Sequence, residues 1–233
     1  NGPAERRKFI DLELCQLNKL YVHSLVSYNR VLLQRNKLLK ELFFHPEYEE
    51  TLDVWDMQLV SYGKKIISLR RQFMEELGEI IRQIHSNLTG KKEEIRLLYE
   101  PDVEEKVFEE KLQSAREKDL RFRVTSVGPH RDDFCVQTNG IDIRKYGSQG
   151  QQRTAALSLK MSEIYLVEKV TKDHPVLLLD DVLSELDSSR QNYLLQSIHN
   201  IQTVITCTGL DELIENNFSI DRVFRVTEGK IDF

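Results

Sequence analysis

Two motifs within residues 146–187 decide the fold. The first, Gly147-Ser148-Gln149-Gly150-Gln151-Gln152-Arg153-Thr154, is a glycine-containing turn that leads into a long helical pattern. The second, Pro175-Val176-Leu177-Leu178-Leu179-Asp180-Asp181, is an apolar run that ends in two carboxylates. Free N–H groups at a helix start bind phosphate, and carboxylates at a strand end hold Mg²⁺ and orient water. Together the two motifs indicate a nucleotide site on an α/β scaffold.

The loop that would wrap the phosphates is missing from these residues, because no stretch reads G-x-x-x-x-G-K-[ST]. Gly90-Lys91-Lys92 is the nearest match, and it lacks both the upstream glycine and the Ser/Thr. The sequence also begins at Asn1 rather than at a methionine. We therefore expect the chain to be a fragment of a longer protein.

Composition fits one large or two small globular domains. The chain has 233 residues, of which 40% are hydrophobic and 30% charged. No apolar run reaches the length of a membrane span, and the N-terminus has no signal-peptide pattern. Cys15, Cys135 and Cys207 are widely spaced and form no C-x-x-C, so neither a zinc site nor a disulfide framework is supported. A cytoplasmic location is the expectation.

Charge is uneven along the chain, although the net value is −5. Residues 1–40 contain eight Lys/Arg against three Asp/Glu, whereas residues 41–60 contain six Asp/Glu and no Lys/Arg. A local basic face can bind phosphates on an acidic chain. A solvated helix face is the alternative interpretation of the same charges.

The first ninety residues predict long helices. Apolar residues recur at helical spacings over residues 12–44 and again over residues 48–88, with His45-Pro46 between the two stretches and Gly90 after them. Long helices joined by a short loop are expected to pack against each other. We predict an all-α second domain over residues 13–90, with an alternative limit near residue 119, and a connecting segment over residues 1–12.

Residues 91–233 alternate strand and helix patterns, which predicts an α/β sheet. The predicted strands are Glu94–Tyr99, Leu120–Val124, Phe134–Thr138, Ile141–Arg144, Val176–Leu179, Thr203–Thr206, Arg222–Val226 and Ile231–Phe233. The predicted helices are Val103–Arg116, Gln149–Lys172, Ser188–Ile198 and Asp211–Glu215. Asn139-Gly140 between two strand patterns is a strong hairpin signal.

The two adjacent aspartates have a chemical interpretation. Four apolar residues, Val176–Leu179, predict a strand covered on both faces, and Asp180 follows at the end where α/β folds place ligands. Neighbouring carboxylates repel each other, and a metal relieves that repulsion. Asp180 is therefore a candidate Mg²⁺ ligand and Asp181 a candidate for orienting water. A charge cluster at a helix N-terminus is the alternative.

The segment after these aspartates favours the interpretation as a nucleotide site. Val182-Leu183-Ser184-Glu185-Leu186-Asp187 resembles the D-loop that follows Walker B in ABC-type ATPases. The stretch Gly147–Thr154 lies one helix upstream, as the ABC signature does. Alone, Ser148 is an ordinary helix N-cap, but the order and spacing of the motifs favour the signature interpretation.

Several further stretches resemble the RecF family of bacterial DNA repair and replication proteins. They are Pro3–Asp11, Gln34–Lys40, Gly128–Asp133, Tyr146–Thr154 and Leu177–Asp187. The resemblance covers nearly the whole chain. It implies a partial ABC-ATPase head, with residues 91–233 as its C-terminal part, and a helical second domain. It also implies that the part carrying Walker A is absent here.

The resemblance implies a function as well. RecF-family proteins bind DNA in an ATP-dependent manner at gaps and single-/double-strand junctions, dimerise on ATP, and work with RecR and RecO to load RecA. ATP and Mg²⁺ are thus expected cofactors of the intact protein, with neither bound tightly to this fragment. The isolated chain is expected to bind ATP very weakly and to hydrolyse none.

Site residues follow by matching motifs. The signature residues that would meet ATP held by a second protomer are Ser148, Gln149, Gly150 and Gln151. Asp180 and Asp181 would serve ATP held by their own protomer. The D-loop residues that would line the dimer interface are Ser184, Glu185 and Asp187. The candidate DNA contacts are Arg6, Arg7, Lys8, Arg30, Arg35, Lys37 and Lys40.

Two positions depart from the wider ABC pattern. Asp181 stands where most ABC ATPases have Glu, so slow hydrolysis is expected. Thr206 ends a strand where many carry a switch histidine, and it is a candidate γ-phosphate sensor. His130 is not at that position, and its neighbours Arg131, Asp132 and Asp133 suggest a structural ion-pair cluster or, alternatively, a DNA contact.

Two other functions remain open at this stage. The first is an SMC-like ATPase head, although residues 13–90 are far shorter than the coiled coil that such a head carries. The second is a non-catalytic helical module that binds RecR or DNA.

Overall fold

The computed structural model describes residues 2–198, 200–207 and 220–232. Its N-terminal part consists of α1 (Pro3–Leu17), α2 (Lys19–Glu41) and α3 (Leu52–Leu88). A 3-10 turn over Pro46–Thr51 joins α2 to α3, which pack along each other as predicted. No helix in these described ranges is long and apolar enough to cross a bilayer.

The C-terminal part alternates strands and helices, as predicted. Its elements are β1 (Ile95–Glu100), α4 (Phe108–Ser114), α5 (Arg116–Phe122), β2 (Asp133–Thr138), β3 (Ile141–Asp142), α6 (Ile143–Tyr146), α7 (Gln149–Thr171), β4 (Leu177–Asp180), α8 (Ser188–Ser197), β5 (Thr203–Thr206), β6 (Arg225–Thr227) and β7 (Lys230–Asp232). Strands β1, β2 and β3 form an antiparallel sheet, β4 and β5 a parallel pair, and β6 and β7 a hairpin. The predicted helix Asp211–Glu215 lies outside the described residues.

The prediction of one continuous helix over residues 12–44 was wrong. Asn18 adopts an extended conformation with φ of −140°, and its side chain accepts a 3.0 Å hydrogen bond from the Tyr21 N–H. An N-cap of this kind starts a new helix. Residues 3–11, predicted as a connection, belong to α1, and Ile10 is fully buried in the core.

The predicted strand Leu120–Val124 was also wrong, because residues 116–122 form α5. Arg123, with φ of 57°, ends that helix in the left-handed region. A tertiary contact holds α5 in place, since Asp119 is buried and pairs with Arg35 of α2 at 2.7 Å. This partner lies 84 residues away in sequence, so the local pattern carries no trace of it.

The hairpin at Asn139-Gly140 is confirmed, but its second strand is shorter than predicted. β3 ends at Asp142, whose carboxylate accepts a 2.9 Å hydrogen bond from the Arg144 N–H and so caps α6. The helix predicted from Val103 begins only at Phe108, after a 3-10 turn.

Helix α3 carries the core of the molecule. Its apolar side chains are buried together with residues from α1, α2, α4, β2 and α7. The buried members include Ile10, Tyr28, Leu59, Ile66, Ile67, Leu77, Phe108, Phe134 and Leu166. Gly63 is required here, because a Cβ atom at this position would lie 2.4 Å from a ring carbon of Phe108. The core therefore crosses the predicted limits at residues 12 and 90, and the division into domains stays a prediction.

The last turns of α3 enter a second core. Ile84 and Leu88 pack with Leu179 of β4 and Leu194 of α8, and Met161 of α7 belongs to the same cluster. The C-terminal end of α3 thus supports both the strand that ends in the aspartates and the helix that follows the signature.

Strand β4 is covered on one face only in the described part of the chain. Leu179 is buried, whereas Leu178 is 72% exposed and Val204 of the neighbouring strand β5 is 53% exposed. The prediction that Val176–Leu179 is covered on both faces was therefore wrong for these residues. The sequence pattern predicts a strand with two apolar faces, and the described residues pack against one of them.

Two buried arginines tie the helices to the loops around them. Arg35 donates to Asp56 at 2.5 Å, to Asp119 at 2.7 Å and to the Thr125 hydroxyl at 2.9 Å. Removing one member of such a network leaves a buried charge without its partner, which costs about 3–5 kcal/mol. The Arg35 network therefore fixes α2, α3 and α5 relative to one another.

Arg70 of α3 makes the second network. It donates to Asp11 of α1 at 2.7 Å, to Asp132 at 2.8 Å and to the Pro129 carbonyl at 2.7 Å. Asp132 also accepts a hydrogen bond from the Asp102 N–H at 2.9 Å. The segment around residue 130 is thereby locked onto α3.

Candidate nucleotide site

The candidate signature turn, residues 147–151, is built by the end of α6 and the start of α7. Gly147 is needed there, because a Cβ atom would lie 2.7 Å from the Ile143 carbonyl oxygen. Ser148 caps α7: its hydroxyl accepts a 3.2 Å hydrogen bond from the Gln151 N–H, and its own N–H donates to the Gln151 side chain at 3.0 Å. This reciprocal capping box fixes the first turn.

The outer side of this turn is open. Ser148, Gln149 and Gly150 are exposed. Among the described residues, a Cβ atom at Gly150 would meet only the Ser148 hydroxyl, at 3.9 Å. Packing against these residues therefore does not require glycine at position 150. The exposed helix start can accept an anion.

Gln151 is held by residues that sequence reasoning missed. Its amide group donates to Glu93 at 3.1 Å, and the other oxygen of Glu93 lies 3.3 Å from Nε2 of His85. His85 is fully buried in α3, and burial lowers its pKa. No local signal could have identified this contact, because Glu93 and Gln151 are 58 residues apart.

The two candidate catalytic carboxylates follow β4, as predicted. In the parallel pair, Asp180 lies opposite Thr206 of β5. The Thr206 hydroxyl donates to Asp180 at 2.6 Å and accepts a 3.1 Å hydrogen bond from the Asp181 N–H. The structure thus brings all three residues together at the carboxyl end of the parallel strands, where α/β folds place ligands.

The D-loop residues also have local structural contacts. Asp181 has φ of 52°, and its carbonyl accepts a 2.8 Å hydrogen bond from the Ser184 hydroxyl. Leu183–Glu185 form a 3-10 turn. Asp187 caps α8 through the Arg190 N–H at 3.0 Å and forms an ion pair with the Arg190 guanidinium at 2.6 Å.

The oxygen ligands at the end of β4 suit a magnesium ion that is also held by water and by substrate phosphates. The described residues contain no group of three or more His, Cys, Asp or Glu side chains placed to hold a metal. Mg²⁺ is usually bound by one or two carboxylates together with water and substrate phosphates. Asp180, with Thr206 on one of its oxygens, fits that partial role.

The structure corrects one candidate DNA contact. Arg35 is fully buried, and its Nε and Nη1 donate to Asp56, Asp119 and Thr125, so it is not available to a phosphate. The error arose because Arg35 lies among exposed cations in the sequence, and its acidic partners are distant.

The other basic candidates divide into two groups. Arg6 forms an ion pair with Asp133 at 2.6 Å, and Arg7 donates to the Asp132 carbonyl at 2.9 Å. Lys8 and Lys37 are exposed. Arg30 and Lys40 are exposed as well. Lys37 forms a surface ion pair with Glu41 at 3.7 Å, so all four side chains lie where a phosphate backbone can reach them.

The structural interpretation of the cluster around His130 is confirmed. Asp132 is fully buried against Arg70. His130 pairs with the Tyr28 hydroxyl at 2.7 Å and with the Thr125 carbonyl at 3.1 Å, and burial lowers its pKa. These contacts engage the polar atoms of His130 and Asp132 and hold the loop in place, whereas Arg131 is exposed and lies 3.8 Å from Asp102.

A buried carboxyl lies farther along α7. One oxygen of Glu163 pairs with Lys160 at 2.8 Å, and the other is buried without a hydrogen-bond partner. Burial raises the pKa of Glu163 from its ordinary value of 4.5 to about 7. Glu13 of α1 lies close enough to raise it further. The α1–α7 contact is therefore sensitive to pH.

The protonated form of Glu163 is favoured by folding, so its stabilising effect is complete below pH 4.5 and is lost as the pH rises through 7. We expect Glu163→Gln to be more stable than the parent at pH 8, by up to about 3 kcal/mol, and similar at pH 5. Urea unfolding at the two pH values measures the difference.

Glu79→Gln is the matched control, because Glu79 also pairs with a cation three residues away, Arg82, but is exposed. It should leave the pH dependence unchanged. Equal effects of the two substitutions would contradict the assignment of a buried proton to Glu163.

Similarity to known proteins extends over the whole chain. No family model matches it. The DNA replication and repair protein RecF of Agathobacter rectalis is 58% identical over 232 residues, which are 100% of this chain and 64% of that protein. RecF of Clostridium perfringens is 47% identical over 235 residues, again 64% of its length. The chain thus spans a little under two thirds of the length of the curated relatives it matches.

Solved structures of the recombination mediator protein RecF give the same result. One with ATP superposes with a TM-score of 0.86 at 36% identity and covers 100% of this chain and 64% of that one. A second RecF structure of the RecFOR pathway has the same TM-score and identity. The predicted α/β fold with a helical second part is confirmed.

Proposed function

The chain belongs to the RecF family of DNA replication and repair proteins, and on that premise we propose that its signature turn and its strand-end aspartates are parts of a composite ATP site. The observation that carries the proposal is the Thr206 hydroxyl bound to Asp180 and to the Asp181 N–H at the end of a parallel strand pair. This arrangement fixes the Asp180 carboxylate and the Asp181 backbone where a nucleotide phosphate would meet them.

Each part has a distinct role in the proposal. The exposed first turn of α7, residues 148–151, binds the γ-phosphate of ATP held by a second protomer. Asp180 would hold Mg²⁺, which would neutralise phosphate charge. Asp181 orients the attacking water, and Thr206 senses the γ-phosphate through its bond to Asp180. The aspartate side chain at position 181 is one methylene shorter than glutamate, which favours slow hydrolysis.

The composite site requires an ATP-dependent homodimer. We assign Ser184, Glu185 and Asp187 to its interface, because they follow the aspartates directly. The phosphate-wrapping loop belongs to a part of the protein outside these residues. The proposal concerns the intact protein, and the isolated chain is expected to hold ATP very weakly.

DNA binding is assigned to the exposed cations of the helical part. Arg30, Lys37 and Lys40 are exposed positions of α2, and spacings of seven and three residues place them on one side of a helix. Lys8 of α1 is also exposed. Such cations contact phosphates without reading sequence. In the proposal, this surface binds DNA at gaps and single-/double-strand junctions in the cytoplasm. RecR and RecO are the proposed partners in loading RecA.

A helical interaction module is the second candidate. Val26 and Leu33 of α2 are 64% and 67% exposed, and their spacing places them on the same side of the helix as Arg30 and Lys37. A surface that mixes apolar and basic residues suits RecR or DNA. Binding of gapped DNA by the isolated chain without ATP would favour this function.

The ATP-site proposal predicts that Asp181→Asn in the full-length protein lowers ATP hydrolysis about 100-fold or more, because the variant has no carboxylate there to accept a proton from water. Dimerisation on ATP should persist. Phosphate release and light scattering measure the two properties.

Asp173→Asn, an exposed aspartate in the loop before β4, is the control and should change neither. Undiminished hydrolysis by Asp181→Asn would remove Asp181 from the mechanism.

The DNA proposal predicts that Arg30→Glu with Lys37→Glu weakens binding to gapped DNA at every sequence tested. The plot of log affinity against log salt should become shallower, by about 0.9 in slope for each phosphate that the variant no longer neutralises. Fluorescence anisotropy across a salt series measures both.

Lys172→Glu, at an exposed lysine after α7, should leave the affinity and slope unchanged. If the α2 pair behaves like this control, DNA does not contact that side of α2.

A further inference from the structure

Gln151 is fixed by a residue outside its own helix. Its side-chain oxygen accepts the Ser148 N–H at 3.0 Å, and its amide group donates to Glu93 at 3.1 Å. Glu93 lies in the turn between α3 and β1. The orientation of the Gln151 side chain, and with it the Ser148 N–H, therefore depends on the end of α3.

Glu93 is itself anchored to α3. Its second carboxylate oxygen lies 3.3 Å from Nε2 of His85. The other nitrogen of the His85 ring, Nδ1, is 2.9 Å from the hydroxyl of Ser158 in α7. The contacts close a ring, because α3 reaches α7 directly through His85 and a second time through Glu93 and Gln151.

The donor and acceptor roles in this ring are defined by chemistry. An ionised carboxylate only accepts hydrogen bonds. The Gln151 amide and His85 Nε2 must therefore both donate to Glu93, which places a proton on Nε2. This arrangement leaves the oxygen of Gln151 free for the Ser148 N–H and so completes the capping box.

We propose that Glu93 and His85 are positioning residues for the signature: they hold Gln151 and Ser148 in the geometry that receives the ATP of the second protomer. The inference rests on the proposed function of the signature. It makes α3, the core helix of the helical part, a direct support of the ATP-receiving turn.

The test uses the full-length protein and separates binding in trans from binding in cis. Glu93→Ala should raise the ATP concentration needed for half-maximal dimerisation about tenfold, the effect of removing a hydrogen bond to a charged group. The affinity of the monomer for ATP, measured at protein concentrations below dimer formation, should stay the same. A general loss of structure would change both.

Glu94→Ala is the matched control. Glu94 is the next residue, its side chain is 60% exposed, and it pairs with Arg96 at 2.9 Å rather than with the signature. This variant should dimerise at the parent's ATP concentration.

A conservative change at Glu93 tests the contact itself. Glu93→Gln keeps an oxygen that can accept a hydrogen bond from the Gln151 amide and leaves the signature residues unchanged. It should shift the half-maximal ATP concentration less than Glu93→Ala does. If folded Glu93→Gln is as impaired as Glu93→Ala, the hydrogen bond to Gln151 does not position the signature and the inference is overturned.

Ser148→Arg distinguishes this inference from the proposed function. If Ser148→Arg leaves ATP-dependent dimerisation intact, the signature does not act in trans and the proposed function fails. If Ser148→Arg abolishes dimerisation while Glu93→Ala leaves it unchanged, only the positioning role is overturned.

Discussion

Burial of the apolar side of α3 is the constraint on which the rest of the structure depends. This helix spans 37 residues, and its buried side chains enter one core with α1, α2 and β2 and a second core with β4 and α8. Each fully buried Leu or Ile contributes about 1.5–3 kcal/mol. A chain without this helix would lose the packing of the signature helix and of the aspartate-bearing strand together.

The buried arginines determine how the segments pack against one another, and they add little to the free energy of unfolding. Arg35 and Arg70 each join three segments that are distant in sequence. Desolvation offsets most of the Coulomb attraction in such pairs, so their net contribution is small beside the apolar core. A mispaired arrangement would leave a charge buried alone, and this cost selects one register of α1, α2 and the loop at residue 130.

Local chemistry was predictable from the sequence, and partners distant in sequence were not. The N-cap at Ser148, the strand before Asp180 and the hairpin at Asn139-Gly140 follow from local rules, and the structure has them. Arg35 and the strand predicted at residues 120–124 failed for a common reason. Both depend on the contact between Arg35 and Asp119, which no local pattern encodes.

The exposed residues of the candidate site were predicted from the sequence, and the residues that hold them in place were not. Ser148, Asp180 and Thr206 carry recognisable motifs. Glu93 and His85 belong to no recognisable motif. Their contacts with Gln151 and Ser158 form only when α7 packs on α3. Supports of this kind are a property of packing, so they become visible only in the folded chain.

The central claim is that the signature and the aspartates of one protomer serve different ATP molecules. Mixing full-length Ser148→Arg protomers with Asp180→Asn protomers tests it most directly, because each is inactive alone and a mixed dimer contains one intact composite site. Mixed dimers with one intact site should restore measurable hydrolysis, up to about a quarter of the parent rate if equal amounts pair at random. A mixture as inactive as its two components would contradict the account.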